Sequence, residues 1–303
     1  MNAATPARVE TQLTDKGYVP VYTTTVVEQA WDRYTATDHG VWATLYARQQ
    51  ALLVGRASDE FLRAQQVMGM TPDHIPRFAD INAVLREATG WELVGVEGLL
   101  PELTFFDHLA HRRFPVTWWI RRPEQLDYLA EPDLFHDLFG HVPLLLNPMF
   151  ADYMAAYGRG GVKAHAIGPD ALVNLTRLYW YTVEFGLIRQ RDASGQDQGL
   201  RIYGSGIVSS KGESMHCLDS DAPNRIGFDL QRIMRTRYRI DTFQKTYFVI
   251  DSFEQLMDAT GPDFTPIYAQ LAQLESFPAG EVLPTDAVFH RGTGASWLND
   301  GDV

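Results

Sequence analysis

The sequence predicts a predominantly α-helical α+β domain with a few short strands. Three observations lead there. Apolar residues recur at three- and four-residue steps over most of the chain, and only short runs rich in β-branched and aromatic residues interrupt them. No repeat period, low-complexity block or Ser/Gly linker divides the 303 residues, a length at the upper edge of what one hydrophobic core supports.

Residues 1–20 read as a polar N-terminal arm and 21–279 as the folded domain. Val26 to Ala57 has helical character, with Trp31, Tyr34, Trp42, Leu45 and Tyr46 near three- and four-residue steps. Ser58 ahead of Glu60-Phe61-Leu62 reads as a helix start, and Gly69 near Thr71-Pro72 as a stop. Phe78 to Thr89 is the next amphipathic helix, closed by Gly90, and Pro101 to Arg112 a short one led by proline. Phe114 to Ile120 is strand-like, and Pro115, which has no amide hydrogen, confines it to an edge or a strand start. Asp133 to Phe139, Pro148 to Tyr157 and Asp170 to Leu187 read as helices, and Leu200 to Ser209 as a glycine-interrupted strand. Asp229 to Tyr238 is helical, Thr246 to Ile250 a strand, and Ser252 to Ala259 and Phe264 to Leu274 are helices. After Ala279 the periodicity fades, so 280–303 is expected to be a poorly ordered tail.

Composition bounds the function. A formal net charge of -12 repels phosphate backbones, so no nucleic-acid partner is expected. Cys217 is the one cysteine, which rules out an intrachain disulfide and permits a reducing compartment. The first ten residues lack the apolar centre of a signal peptide, and no stretch approaches the roughly 18 apolar residues of a membrane span. The expectation is a cytoplasmic protein without membrane association.

The most informative stretch is Glu131-Pro132-Asp133-Leu134-Phe135-His136-Asp137-Leu138-Phe139-Gly140-His141-Val142-Pro143, followed later by Glu184 inside the apolar run Leu178 to Gly186. Two imidazoles and one carboxylate are the ligand set of a non-haem ferrous site with open positions. On an ideal helix, residues five apart differ by about 140° around the axis, so His136 and His141 cannot share a face. They converge if the helix ends between them, and Gly140 and Pro143 are placed to end it. Thr176, Trp180 and Glu184 follow four-residue steps on one face. A carboxylate among Leu178, Tyr181, Val183 and Phe185 is costly to bury without a cation. Spacing alone leaves alternatives open: histidines in apolar surroundings are often hydrogen-bonded core residues, and Glu184 could pair with Arg177 or Arg189. A zinc hydrolase could use the same three ligands.

Taken together, the 131–143 motif, Tyr179-Trp180-Tyr181-Thr182-Val183-Glu184-Phe185-Gly186, and Tyr203-Gly204-Ser205-Gly206-Ile207-Val208-Ser209-Ser210-Lys211-Gly212-Glu213 closely resemble the pterin-dependent aromatic amino acid hydroxylases. The likeness runs in register from about Gly98 to Phe253, and is strongest to bacterial members acting on phenylalanine. The resemblance implies a single catalytic domain of that family's type. It implies a mononuclear Fe(II), a tetrahydropterin such as tetrahydrobiopterin, and O2, converting L-phenylalanine to L-tyrosine. By matching positions, His136, His141 and Glu184 are the implied iron ligands. Gly98, Leu100, Phe105, Asp137, Thr176 and Tyr179 are the implied pterin contacts. Arg121 is the implied grip on the amino acid carboxylate, oriented by Asp133. Pro132, Trp180, Phe185, Gly206, Ser209 and Glu213 complete the implied substrate pocket. Ile240 stands where tyrosine hydroxylases carry an acid, which favours phenylalanine over the alternatives, tyrosine and tryptophan. The resemblance further implies a monomer, without the regulatory domain or tetramerisation helix of animal members.

Overall fold

Local caps decide where most helices begin. In the computed structural model, which describes residues 12–14, 17–19, 24–127, 129 and 131–294, strands β1 (Gln12–Thr14) and β2 (Gly17–Val19) pair antiparallel. The rest of the expected arm, and 295–303, lie outside the described residues. Strand β3 (Val26–Val27) follows, so the helix expected from Val26 starts only at Ala36. The cause is a capping box that fixes the first turn of α1 (Ala36–Leu53). The Thr35 hydroxyl accepts from the Asp38 amide, and the Asp38 carboxylate accepts from the Thr35 amide. Ser58 caps α2 (Asp59–Val67) as expected, and α3 (Phe78–Ala88) is closed by Gly90 at a φ of 74°.

Strand β4 (Glu92–Val96), α4 (Glu102–Ala110) and β5 (Arg113–Thr117) form a parallel crossover unit, with β3 added antiparallel to give the order β3-β4-β5. Thus β5 is an edge strand, which is where Pro115 can sit. Helix α5 (Pro148–Ile167), capped by Asn147, runs well past Tyr157. Helix α6 (Pro169–Tyr179) leads into a wide turn and then β6 (Leu187–Arg191), so the helix expected to reach Leu187 stops short of it.

Strand β7 (Asp197–Ile202) ends early, and Ser205 to Ser209, expected as strand, holds the short helix α7 (Ser205–Val208) instead. Next come α8 (Lys211–Asp219), β8 (Asn224–Gly227), α9 (Leu230–Met234) and β9 (Thr246–Ile250). The expected helix to Tyr238 stops at Met234. There the Arg237 amide donates to Phe277 O and the Phe277 amide to Arg235 O, drawing the chain out of helical winding. Helices α10 (Phe253–Thr260) and α11 (Thr265–Leu271) precede β10 (Val288–His290). The second sheet has the order β10-β8-β9-β6-β7, with β8, β9 and β6 parallel and both outer strands antiparallel. The expected poorly ordered tail is therefore structured as far as β10. A buried pair of Arg232 with Asp286, Nε to Oδ1 at 3.0 Å, ties it down.

The helices and sheets share one buried cluster that includes Trp42, Leu45, Phe61, Leu138, Tyr153 and Leu178. Helices α4 and α5 cross closely because Gly158 has no side chain: a Cβ there would lie 2.3 Å from the Ala110 amide nitrogen. Two residues on, Gly160 faces open space. Gly158→Ala should destabilise the fold by about 1–3 kcal/mol through overpacking. Gly160→Ala should stabilise it by about 0.5–1 kcal/mol by restricting the unfolded chain. Denaturant midpoints of the two variants check this, and equal shifts would refute the crossing.

Candidate metal centre and aromatic pocket

Asp133 begins the segment that carries both histidines. Its buried carboxylate accepts from the His136 amide at 3.0 Å, as a helix cap does. The same carboxylate accepts from Arg121 three times, from the amide at 2.9 Å, Nε at 2.8 Å and Nη2 at 2.9 Å. Burial alone would raise the Asp133 carboxyl, but the Arg121 bonds outweigh it and hold it low. The pairing uses Nε and Nη2, one edge of the planar guanidinium.

From His136 to His141 the chain winds as a π turn, and does not end between the two histidines as expected. Residues five apart, which diverge on an α-helix, are neighbours in the i→i+5 pattern. Gly140 does not terminate the helix. A Cβ there would lie 2.8 Å from Ser205 O, so glycine lets α7 approach. A second π turn, Trp180–Glu184, closed by the Phe185 amide on Trp180 O at 2.8 Å, replaces the four-residue spacing expected for Glu184.

The two turns bring three donors together. His136 Nε2 and His141 Nε2 are 3.0 Å apart with their rings at 82°. Glu184 places Oε1 at 3.2 Å from His141 Nε2 and Oε2 at 3.7 Å from His136 Nε2. Metal–donor bonds of about 2.1 Å meeting near right angles put adjacent donors about 3.0 Å apart, close to the spacing of the two imidazole nitrogens and of His141 with the Glu184 carboxylate.

Protonation agrees. The Ser209 hydroxyl donates to Ser205 O at 2.7 Å, so His136 Nδ1, 2.9 Å from Ser209 Oγ, must carry the proton of that contact. That leaves the Nε2 lone pair facing the other donors. Burial pushes the His136 imidazole down to about 4 against the pull of Glu184. Burial would raise the Glu184 carboxyl, but His141, His136 and the Ser205 hydroxyl, 3.0 Å from Oε2, bring it to about 2. At neutral pH the set is thus a neutral imidazole beside a charged carboxylate, as metal binding requires. Asp137 lies in a cluster with both histidines within 4.8 Å. Its Oδ2 is engaged by the Thr117 amide at 2.7 Å, and burial raises its carboxyl to about 7, so Glu184 is the better-placed anion.

Aromatic rings wall the site on two sides. Tyr179 stacks over His141 at 6.2 Å and meets the half-buried Phe105 edge-on at 5.8 Å. Trp180 stacks on Tyr238 at 4.2 Å and lies 4.6 Å from Phe185.

The biopterin-dependent aromatic amino acid hydroxylase family matches residues 28–264. The chain is 62% identical over 277 residues to phenylalanine-4-hydroxylase of Ralstonia nicotianae, covering 91% of this chain and 86% of that one. It is 61% identical over 275 residues to the Chromobacterium violaceum enzyme of the same name, covering 91% and 90%. The iron- and phenylalanine-bound crystal structure of C. violaceum phenylalanine hydroxylase superposes with a TM-score of 0.81, at 60% identity over 87% of this chain and 93% of that one. The chain belongs to the biopterin-dependent aromatic amino acid hydroxylases.

The other residues singled out by the hydroxylase motifs have differing contacts. Gly98 faces open space and Leu100 is half-buried, in the loop before α4. The Thr176 hydroxyl bonds within its own helix, to Leu172 O at 2.9 Å. Pro132 is half-buried beside Asp133. A Cβ on Gly206 would lie 3.1 Å from Glu184 Oε2 and 3.0 Å from Phe185 Cζ, so glycine keeps that space clear. Ser209 commits its hydroxyl to His136 and Ser205. Glu213 is buried and accepts from the Tyr247 hydroxyl at 2.6 Å and the Gln244 amide at 3.1 Å. Burial raises its carboxyl to about 7 against those two bonds. Ile240 is 73% exposed. Ser205, Tyr238 and Gln244 were missed in the sequence; only Ser205, inside the 203–213 motif, had a signal, since a buried carboxylate at 184 needs a donor.

Two outcomes follow. Ser209→Ala removes the acceptor that fixes the His136 tautomer and should weaken ferrous binding by about 10–100-fold in a metal titration; unchanged affinity would refute the assignment. The folded state keeps a proton on Glu213 that the unfolded chain releases above its ordinary 4.5. Wild-type stability relative to Glu213→Gln should therefore fall as pH rises from about 4.5 to about 7, then level off. Unfolding curves of both proteins across that range check the sign.

Proposed function

We propose that this hydroxylase converts L-phenylalanine, a tetrahydropterin and O2 to L-tyrosine and a 4a-hydroxytetrahydropterin at a mononuclear ferrous ion held by His136, His141 and Glu184. The observation that carries the reading is the three-donor face formed by the two π turns, in a chain 60% identical to a phenylalanine hydroxylase with iron and phenylalanine bound. Bound iron with tetrahydropterin supplies dioxygen activation, one oxygen atom going to the substrate ring and the other to the pterin.

The chain's own residues do the positioning. Arg121, held rigid by Asp133, takes the amino acid carboxylate through Nη1, because a planar guanidinium already locked on one edge loses little entropy on binding at the other. Trp180 and Phe185 form the apolar wall for the substrate ring, with Pro132 beside Asp133 and Gly206 leaving room next to Glu184. The pterin lies against Phe105, near Gly98 and Leu100, with Tyr179, Thr176 and Asp137 closing its pocket. Ser209 fixes the proton position of His136 and the Ser205 hydroxyl donates to the ionised Glu184, so neither ligand has to reorganise when the metal enters.

A cytoplasmic monomer belongs to the same reading. Among the described residues no helix is long and apolar enough to cross a membrane, and Cys217 is buried and unpaired.

Glu184→Ala should lose iron and with it tyrosine formation. Normal tyrosine yield with unchanged iron content would defeat the ligand assignment. In the wild type, tyrosine formed should match tetrahydropterin oxidised, and phenylalanine should outpace tyrosine and tryptophan under identical conditions. Faster turnover of tryptophan, or hydrolysis supported by zinc without pterin, would select a different reaction.

A further inference from the structure

Trp180 does not stand alone in the pocket wall. Its indole Nε1 donates to Gln244 Oε1 at 2.9 Å across 64 positions of sequence. Gln244 is 4% exposed, and its remaining polar groups are also occupied. Nε2 donates to Arg239 O at 3.1 Å and lies 3.5 Å from Thr242 O. Its backbone amide donates to Glu213 Oε1 at 3.1 Å, and its carbonyl oxygen contacts His216 Nε2 at 3.3 Å. Two carbonyls on one side and an indole N–H on the other fix the amide's orientation without ambiguity, because swapping O and N would oppose like groups on both sides.

This hub joins three separate pieces: the second π turn through Trp180, the loop 239–243 through its carbonyls, and α8 through Glu213. Glu213 is anchored in turn by the Tyr247 hydroxyl on β9. The indole plane has a further constraint, stacking on Tyr238 at 4.2 Å and 14°, with Phe185 at 4.6 Å. Stacking alone lets an indole slide or turn in its own plane; the hydrogen bond to Gln244 removes that freedom. Without Gln244 the indole N–H also loses its buried partner.

We propose that Gln244 is a positioning residue of the substrate pocket: its side-chain amide locks the Trp180 ring in one setting and thereby fixes the size of the slot that receives the substrate's aromatic ring. The proposal rests on the reading that Trp180 walls that slot. The hydrogen bonds of Gln244 reach neither a candidate metal ligand nor a candidate pterin contact, so Gln244 acts on substrate binding and on ring selectivity and leaves iron content unchanged. A fixed wall favours the single ring of phenylalanine; a released wall admits the larger indole of tryptophan.

The test is a double-mutant cycle on the iron-loaded enzyme, pairing Gln244→Leu with Trp180→Phe, which keeps an aromatic ring but has no N–H. Gln244→Leu should raise KM for phenylalanine about tenfold, the worth of one buried hydrogen bond, with a smaller effect on kcat. It should also raise tryptophan turnover relative to phenylalanine. In the Trp180→Phe background the same change should have little further effect on KM, because the bond is already gone. Gln244→Met, which keeps the length of the side chain but offers the indole no oxygen acceptor, should raise KM by a similar factor, and it serves as the probe if the leucine variant fails to fold. An equal rise in KM in both backgrounds would show a general packing defect and overturn the proposal, as would an unchanged KM in Gln244→Leu. Unchanged KM in Trp180→Phe alone would remove Trp180 from the slot and the proposal with it. Absence of phenylalanine turnover in the wild type would instead strike the functional reading itself.

Discussion

A charged carboxylate in a buried place is the constraint around which the site is organised. Burial on its own pushes the Glu184 carboxyl up, toward the protonated form. The imidazoles of His141 and His136 and the Ser205 hydroxyl reverse that preference, and they can do so only from within a few ångströms. Bringing two side chains five positions apart to one point, opposite an acid from a different helix, is beyond regular α-helix geometry. The two π turns are the backbone's answer, and Gly140 and Gly206 keep α7 close enough to supply its serine.

Asp133 extends the same logic toward the substrate. One buried carboxylate caps the histidine segment and clamps the Arg121 guanidinium, so the candidate metal ligands and the candidate carboxylate grip share an anchor. A shift of either reaches the other through a single residue. Rigidity of this kind suits chemistry in which the acceptor ring must meet an activated oxygen atom at one carbon, since positioning is the protein's part of the work.

Much of this was legible in the sequence, and for identifiable reasons. Helices announced by their own caps, such as α2 behind Ser58 and α10 behind Ser252, stood close to where the pattern put them, because capping is local. Strand β9, buried at every position, read as a continuous apolar run. Strands β4 and β6 did not, because pairing partners lie far along the chain and runs of five residues leave little period to detect. The ligand triad was legible as residue types, but the winding that unites it was not: nothing in His136 to His141 distinguishes a π turn from a helix end. Gln244 left no trace either, since a bond across 64 residues has no periodicity.

A π turn carries one residue more than the α-turn it replaces, which makes chain length itself part of the centre. Taking one residue out of 137–140 keeps the histidines on one face only if the winding relaxes to α, and adding one turns all that follows by about 100°, carrying His141 off its bearing while every side chain there remains intact. Side chains of these turns that are not candidate ligands can be exchanged singly, but an added residue has no local remedy. The five-position gap and the π winding therefore belong together, and neither changes alone without parting the histidines.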